Sequence, residues 1–93
     1  MFEVAYHPEA AKELRALRAH DRARVLDAIE RHLIEAPLML TRSKKVLDLG
    51  EEGFVHHLRV GDFRVFYDVD ETERVVIVMH VRRKGRKRTG EVP

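Results

Sequence analysis

Apolar residues near the N-terminus change from the spacing of a strand to the spacing of a helix. Phe2–Tyr6 alternates weakly with a period of about two and predicts a short first strand. A helix is then predicted to begin at Pro8, because proline suits the first helical position and Glu9 suits the positive end of the helix dipole. The apolar residues at helical spacing are Ala10, Leu14 and Leu17.

A further run with helical spacing predicts a second helix. Its apolar face consists of Val25 or Leu26, Ile29 and Leu33. Asp21 is the predicted N-cap. Pro37 is predicted to end the helix near Glu35, because the residue before a proline avoids the helical region. Two helices joined by a short break predict an antiparallel helical hairpin.

From residue 44 onward the apolar period falls to about two, which predicts four more strands. They cover residues 44–50, 54–60, 63–69 and 74–82. Gly61-Asp62 predicts a two-residue hairpin, because glycine accepts positive φ at the first position of the turn. The run RVVIVMHVR is almost continuously apolar and predicts a central strand that is covered on both faces.

These elements predict an α+β fold of order β-α-α-β-β-β-β. The length fits a single domain over residues 1–93. The two helices are expected to pack as a hairpin on one face of a mostly antiparallel sheet, and this arrangement leaves the other face of the sheet open.

The alternation of the strands divides their side chains between the two faces of the sheet. In the predicted strand at residues 63–69, the side chains that are expected to meet the helices are Phe63, Val65 and Tyr67. Arg64 then points to the open face, and His57 and Arg59 share that face by the same count. His56 is predicted to lie on the helix side as a buried or half-buried histidine with one hydrogen bond.

The net charge of +2 hides a local distribution of charge. Six of the seven residues from 82 to 88 are basic, and the rest of the chain has 12 basic against 16 acidic residues, a net of −4. A local basic cluster fits a polyanion or an acidic protein better than a diffuse positive surface does. The alternative interpretation is a solvated, partly disordered C-terminal segment.

Composition and motifs exclude several classes of function. The chain has no cysteine, and adjacent His56 and His57 point to opposite faces of a strand, so we expect no metal site and no cofactor. Neither a P-loop nor a dinucleotide fingerprint is present. No apolar run reaches the roughly 20 residues of a membrane span, and no signal-peptide pattern is present, so we expect a soluble cytoplasmic protein.

Clustered arginine, lysine and histidine suit the cleavage of RNA without metal. The 2′-OH attacks the adjacent phosphate, which requires a base, an acid and cations around the phosphorane. Arginine binds phosphate oxygens with its planar fork, and histidine exchanges protons near neutral pH. The alternative interpretation of His57, Arg59 and Arg64 is a solvated sheet face. His80 is interpreted as a packing residue.

The chain resembles a known family of toxins. The stretch HLRVGDFRVFYDVD, the apolar strand RVVIVMHV, the basic run after it and the order of the elements resemble the RelE/ParE toxins of type II toxin–antitoxin systems. The resemblance implies a small toxin that a cognate antitoxin neutralises, with a toxin–antitoxin heterotetramer as the expected assembly. RelE-type members of this superfamily cleave mRNA in the ribosomal A site, whereas ParE-type members inhibit DNA gyrase.

The resemblance also implies roles for individual residues. Arg64 matches the arginine that contacts the scissile phosphate, and His57 lies where such nucleases often have Lys or Arg. Lys84, with Arg83 or Arg86 as alternatives, matches the cation that meets the phosphate or the leaving group. The predicted catalytic residues are therefore Arg64, His57 and Lys84. The predicted nucleic-acid-binding residues are Arg59, Arg82, Arg83, Arg86, Lys87 and Arg88.

Two positions depart from the nuclease pattern. Val55 stands where many of these nucleases have a second lysine, and no tyrosine follows Tyr67, whereas many nucleases end with a catalytic tyrosine. Three functions stay open: an mRNA interferase that acts on the ribosome, a DNA gyrase inhibitor without nuclease activity, and a non-catalytic relic that binds antitoxin. All three predict an acidic or amphipathic antitoxin segment along the helices and the basic face.

Overall fold

The computed structural model describes residues 1–35, 37–38, 44–48 and 54–83, with the backbone alone at 44–48 and 54–55. Its elements are β1 (Glu3–Tyr6), α1 (Pro8–Arg15), α2 (Ala19–Leu33), β2 (Lys44–Asp48), β3 (Phe54–Val60), β4 (Phe63–Asp70) and β5 (Val75–Arg83). The predicted order β-α-α-β-β-β-β is confirmed. The predicted turn at 51–53 and the predicted site residues Lys84, Arg86, Lys87 and Arg88 lie outside the described residues.

The strands form one mixed sheet in the order β1-β5-β4-β3-β2. β1 runs parallel to β5 and the other three pairs are antiparallel, which confirms a mostly antiparallel sheet. β5 lies inside the sheet, but the prediction that both of its faces are covered is wrong. Val76, Val78 and Val81 are buried in the core with the helices, whereas Ile77 and Met79 are partly exposed because no described helix lies over the other face.

The first residue of each helix can be compared with its predicted start. α1 begins at Pro8 as predicted, and the Nδ1 atom of His7 accepts a hydrogen bond from the Glu9 N–H at 3.1 Å. α2 begins at Ala19, so the prediction that Asp21 is its N-cap is wrong. Asp21 instead lies in the first turn, where its negative charge favours the helix dipole. Neither described helix is long and apolar enough to cross a membrane.

The core lies between the two helices and one face of the sheet. The buried hydrophobic residues are Ala10, Leu14, Val25, Ile29, Leu33, Leu58, Val60, Phe63, Val65, Tyr67, Val76, Val78 and Val81. Burial of each large aliphatic side chain contributes about 1.5–3 kcal/mol. The predicted helix-facing set Phe63, Val65 and Tyr67 is confirmed, and Val25 rather than Leu26 is the fully buried member of the α2 stripe.

A β-bulge in β5 changes which side chains share a face. Phe66 pairs with His80 but the next residue, Tyr67, pairs with Val78, so Met79 is an extra residue in β5. Val78 and Val81 can therefore both be buried although they are three residues apart. The same shift places His80 in line with Phe66 on the face away from the helices.

Tyr67 joins β4 to the segment that follows α2. Its ring is buried, with 1% of the residue exposed, and its hydroxyl donates a hydrogen bond of 2.7 Å to the Pro37 carbonyl oxygen. Burial raises the pKa of Tyr67 to about 12, from an ordinary value of 10.0. This hydroxyl therefore stays neutral and bonded over the whole neutral range.

Tyr67→Phe is expected to lower the free energy of unfolding by about 1–2 kcal/mol, because the buried Pro37 carbonyl loses its donor. Since the raised pKa belongs to the folded state, the Tyr67 contribution is present below pH 10 and is lost as the pH rises toward about 12. Urea unfolding at pH 8 and pH 11 measures both effects. If the free energies of unfolding of parent and variant differ by the same amount at both pH values, the predicted loss of the Tyr67 contribution at high pH is contradicted.

The β3–β4 hairpin turns at Gly61 and Asp62, as predicted. Val60 pairs with Phe63 and Arg59 pairs with Arg64, so the loop has two residues. Gly61 has a φ of 57°, a left-handed value that suits the first position of such a turn. A Cβ atom built on Gly61 lies 2.6 Å from the Nη2 atom of Arg24, because this α2 side chain lies against the turn.

Gly61→Ala is expected to destabilise the protein by about 1–2 kcal/mol, since alanine is strained at this φ. The Arg24 guanidinium is the flexible end of a side chain and can move aside, so the backbone strain should dominate. Thermal unfolding should show a fall of several degrees. Gly61→Asn is the matched control, because asparagine tolerates left-handed φ better, and equal losses in the two variants would point to the Arg24 contact instead.

Candidate nucleic-acid interface

Three arginines form a row across the face of the sheet that lies away from the helices. Arg59 of β3 pairs with Arg64 of β4, and Arg64 pairs with Arg82 of β5. Directly opposite residues of an antiparallel pair share a face, with Cβ atoms about 4.5–5.5 Å apart. We call these three residues the arginine row, and its members include the predicted site residues Arg59, Arg64 and Arg82.

The arginine row has little charge compensation within the protein. Arg82 Nε lies 3.5 Å from Oε2 of Glu13, a long contact at an exposed side chain. Among the described residues, Arg59 and Arg64 have no ion pair. Like charges directly opposite on a sheet are destabilising, so an anion bound across this row would relieve the repulsion.

A second row contains the aromatic rings next to the arginines. His57 pairs with Phe66, and Phe66 pairs with His80, on the same face as the arginine row. The rings of His57 and Phe66 are stacked, with centroids 6.1 Å apart and an angle of 22° between their planes. We call His57, Phe66 and His80 the aromatic row.

His57 lies on the predicted face, but the expectation of a solvent-facing ring is wrong. Only 8% of His57 is exposed, and the ring packs against Phe66 across the strand pair. The alternation of β3 gives the face of this side chain and says nothing of its burial. His56 is half-buried on the helix side, as predicted, and stacks on Tyr67 at 5.3 Å. The described residues give its Nδ1 no hydrogen bond.

Glu13 of α1 reaches the edge of β5 and organises the end of both rows. β1 ends at Tyr6, which pairs with Val78, so β5 has no β1 partner beyond that point. There the carboxylate of Glu13 accepts a hydrogen bond of 2.7 Å from the Val81 N–H. The same carboxylate lies 3.5 Å from the Nδ1 atom of His80. α1 thus completes the strand edge and places an acid beside His80.

His80 is a candidate functional residue that the sequence interpretation assigned to packing. Its side chain is 34% exposed, and Nη2 of Arg82 lies 3.3 Å from its Nδ1. Both described contacts of the ring involve Nδ1, so Nε2 has no hydrogen-bond partner in the described part of the chain. The pairing of His80 with Phe66 depends on the bulge at Met79, which no sequence pattern reveals.

The remaining predicted site residues divide into two groups. Arg83 pairs with Phe63, and its guanidinium lies 4.7 Å from the centre of that ring, so it is not part of the arginine row. Arg83 therefore does not share a face with Arg82, and its contact with nucleic acid stays a prediction. Lys84, Arg86, Lys87 and Arg88 fall outside the described residues.

Residues 4–88 match the family described as ParE toxin of type II toxin-antitoxin system, parDE. This match covers most of the chain. The protein therefore belongs to this family and is a toxin of a type II toxin–antitoxin system, within the RelE/ParE superfamily. The resemblance inferred from the sequence is confirmed at this level.

Solved structures of RelE toxins share the fold. RelE of the archaeal RelE–RelB complex from Pyrococcus horikoshii OT3 is 23% identical, with a TM-score of 0.73 over 91% of this chain and 97% of that chain. The RelBE2 complex of Mycobacterium tuberculosis contains a chain that is 23% identical, with a TM-score of 0.70 over 89% of this chain and 98% of that chain. The intact E. coli RelBE complex contains a chain that is 21% identical, with a TM-score of 0.63. The match covers 92% of this chain and 100% of that chain. No curated protein matches the sequence significantly.

Proposed function

We propose that this toxin is an mRNA interferase that cleaves ribosome-bound mRNA by metal-independent attack of the 2′-OH. The observation that carries the proposal is the arginine row of Arg59, Arg64 and Arg82 on a face without a described helix. Arginine is the side chain that binds phosphate oxygens through two parallel donors. Arg64, at the centre of the row, is the residue best placed to bind the scissile phosphate.

The reaction needs one bond to form and one to break. The 2′-oxygen of the ribose bonds to phosphorus, and the bond from phosphorus to the 5′-oxygen of the next nucleotide breaks. A base takes the 2′ proton, and an acid gives a proton to the 5′-oxygen. The products are a 2′,3′-cyclic phosphate and a 5′-hydroxyl end. Arg64 and Arg82 stabilise the charge that develops on the phosphorane oxygens.

His80 is the group that we assign to proton transfer in this proposal. His57 was the candidate from the sequence, but its ring is buried against Phe66. His80 is more exposed, lies on the same face, and leaves Nε2 available while Glu13 and Arg82 contact Nδ1. Contacts at one ring nitrogen fix the orientation of the other. Lys84 stays a prediction for the cation that meets the phosphate or the leaving group.

A cognate antitoxin is the partner that we propose for the same face. The structural neighbours from P. horikoshii, M. tuberculosis and E. coli are toxin–antitoxin complexes. An acidic antitoxin segment over the arginine row would remove the repulsion among the arginines and would exclude RNA. Complementary charge would also speed the association of the two proteins. A heterotetramer with the antitoxin stays the expected assembly.

Inhibition of DNA gyrase is the second candidate function. The family that the chain matches is named for ParE. As stated above, ParE-type members of the superfamily inhibit DNA gyrase. The absence of a tyrosine after Tyr67 and the burial of His57 favour this candidate, since both remove groups that nucleases of this kind use. In that case the arginine row would bind a protein or DNA surface without chemistry.

A paired assay separates the two functions. Purified toxin is added to ribosomes programmed with a defined mRNA, and in parallel to gyrase with relaxed plasmid. Codon-phased cuts that carry 2′,3′-cyclic phosphate ends, with normal supercoiling, support the mRNA interferase. Intact mRNA with inhibited supercoiling supports the gyrase inhibitor. No effect in either reaction, with a protein that is harmless when expressed alone, would remove both and leave a non-catalytic antitoxin-binding relic.

A further inference from the structure

We propose that Phe66 is a stacking platform for one nucleobase of single-stranded RNA whose phosphate lies on the arginine row. This inference rests on the proposed function, because it states how the same face holds its substrate. The class of ligand is a short unpaired RNA segment, since unpaired bases expose the faces that stack on aromatic rings.

Phe66 is not a residue of the hydrophobic core. Its neighbours Val65 and Tyr67 are buried, whereas Phe66 lies on the opposite face and is partly exposed. It is also absent from the partly buried apolar residues that pack against the core. A single partly exposed phenylalanine is common on proteins, but this ring lies beside the arginine row, where RNA phosphates are proposed to bind.

The orientation of the Phe66 ring is fixed from one side. His57 lies directly across the strand pair, and the two rings stack at 6.1 Å with an angle of 22°. Because His57 is itself buried, it has little freedom to turn away. A ring that is held in place before binding loses less entropy when a base stacks on it.

The spacing of the two rows suits one nucleotide. Arg64 and Phe66 are two residues apart on β4 and point to the same face, so their Cα atoms lie about 7 Å apart. A phosphate on Arg64 therefore places an adjacent base within reach of Phe66. Stacking of this kind tolerates every base, because each one has an aromatic face, and it combines with phosphate contacts in proteins that bind single strands.

The test compares an RNA pentanucleotide that has 2-aminopurine at its centre with the same oligonucleotide lacking that base. At low salt, where phosphate contacts are strong, the parent protein should bind the complete oligonucleotide about 5- to 150-fold more tightly than the abasic one. It should also quench the 2-aminopurine fluorescence. Phe66→Leu should reduce this ratio nearly to one, and Phe66→Tyr should preserve it. Circular dichroism checks that both variants are folded.

Equal binding of the two oligonucleotides by the parent would overturn the platform without the need for any variant. A base-dependent ratio that Phe66→Leu leaves unchanged would also overturn it, since the base would then stack elsewhere. Ribosome cleavage, measured in parallel, separates the two proposals. Base-dependent binding without cleavage removes the mRNA interferase and keeps the platform, whereas cleavage with equal binding of both oligonucleotides removes the platform alone.

Discussion

Arg64→Ala is expected to lower the rate of mRNA cleavage on the ribosome by about 100- to 1,000-fold, the usual cost of removing one donor to a developing oxyanion. Arg64 lies at the centre of the arginine row and has no described ion pair of its own. Its guanidinium is therefore available for phosphate oxygens. Primer extension on a defined mRNA, with single-turnover rates, measures the loss.

The same substitution should leave the fold intact. Removing the middle charge of three opposed arginines takes away repulsion, so the melting temperature should stay the same or rise. Arg64→Lys keeps the charge but not the planar fork, and its rate should lie between those of the parent and Arg64→Ala. Arg31→Ala is the matched control, because Arg31 forms only an exposed ion pair with Asp27 on α2. Full cleavage by Arg64→Ala would contradict the proposed role.

Much of this face follows from the alternation of one strand. In β4 the apolar residues Phe63, Val65 and Tyr67 turn toward the helices, so Arg64 has to point away from them. The two-residue turn at Gly61 then fixes the register and sets Arg59 directly opposite Arg64. Period and turn length are local properties of the sequence, and for this reason both predictions are confirmed.

The rest of the candidate site depends on contacts between distant parts of the chain. Glu13 meets the Val81 N–H across 68 positions of sequence, and only because β1 ends before this part of β5 begins. The bulge at Met79 reverses the count along β5 and turns His80 toward the open face. Neither feature has a period or a motif. The stacking of His57 on Phe66 likewise joins side chains of neighbouring strands.

The position of the hydrophobic core explains why the open face can hold so much positive charge. The hydrophobic core lies between the helices and the inner faces of β3, β4 and β5, and the arginine row is not part of it. The arginine row can therefore be kept for binding at a modest cost in stability. Glu13 is placed at the rim, where it contacts Arg82 and His80 and leaves Arg59 and Arg64 available.

His80→Ala is expected to lower the rate constant for cleavage by about 100- to 10,000-fold, the range for loss of a general acid or base. The Nδ1 atom of His80 is engaged by Arg82 and lies 3.5 Å from Glu13, so Nε2 is the atom that faces substrate in the proposed reaction. One limb of the pH–rate profile should disappear in the variant, because its proton-transfer group is gone. Single-turnover cleavage from pH 5.5 to pH 8.5 measures both effects.

Three further variants distinguish chemistry from structure at this position. Glu13→Gln keeps the shape of the side chain but removes its charge, so cleavage should persist in that variant. His20→Ala, at an exposed position of α2, should behave as the parent does. His57→Ala should lower stability through the loss of its stacked ring, and it should keep both limbs of the profile. A His57→Ala variant that is folded but loses a limb, beside a His80→Ala variant that keeps both, would return the proton-transfer role to His57.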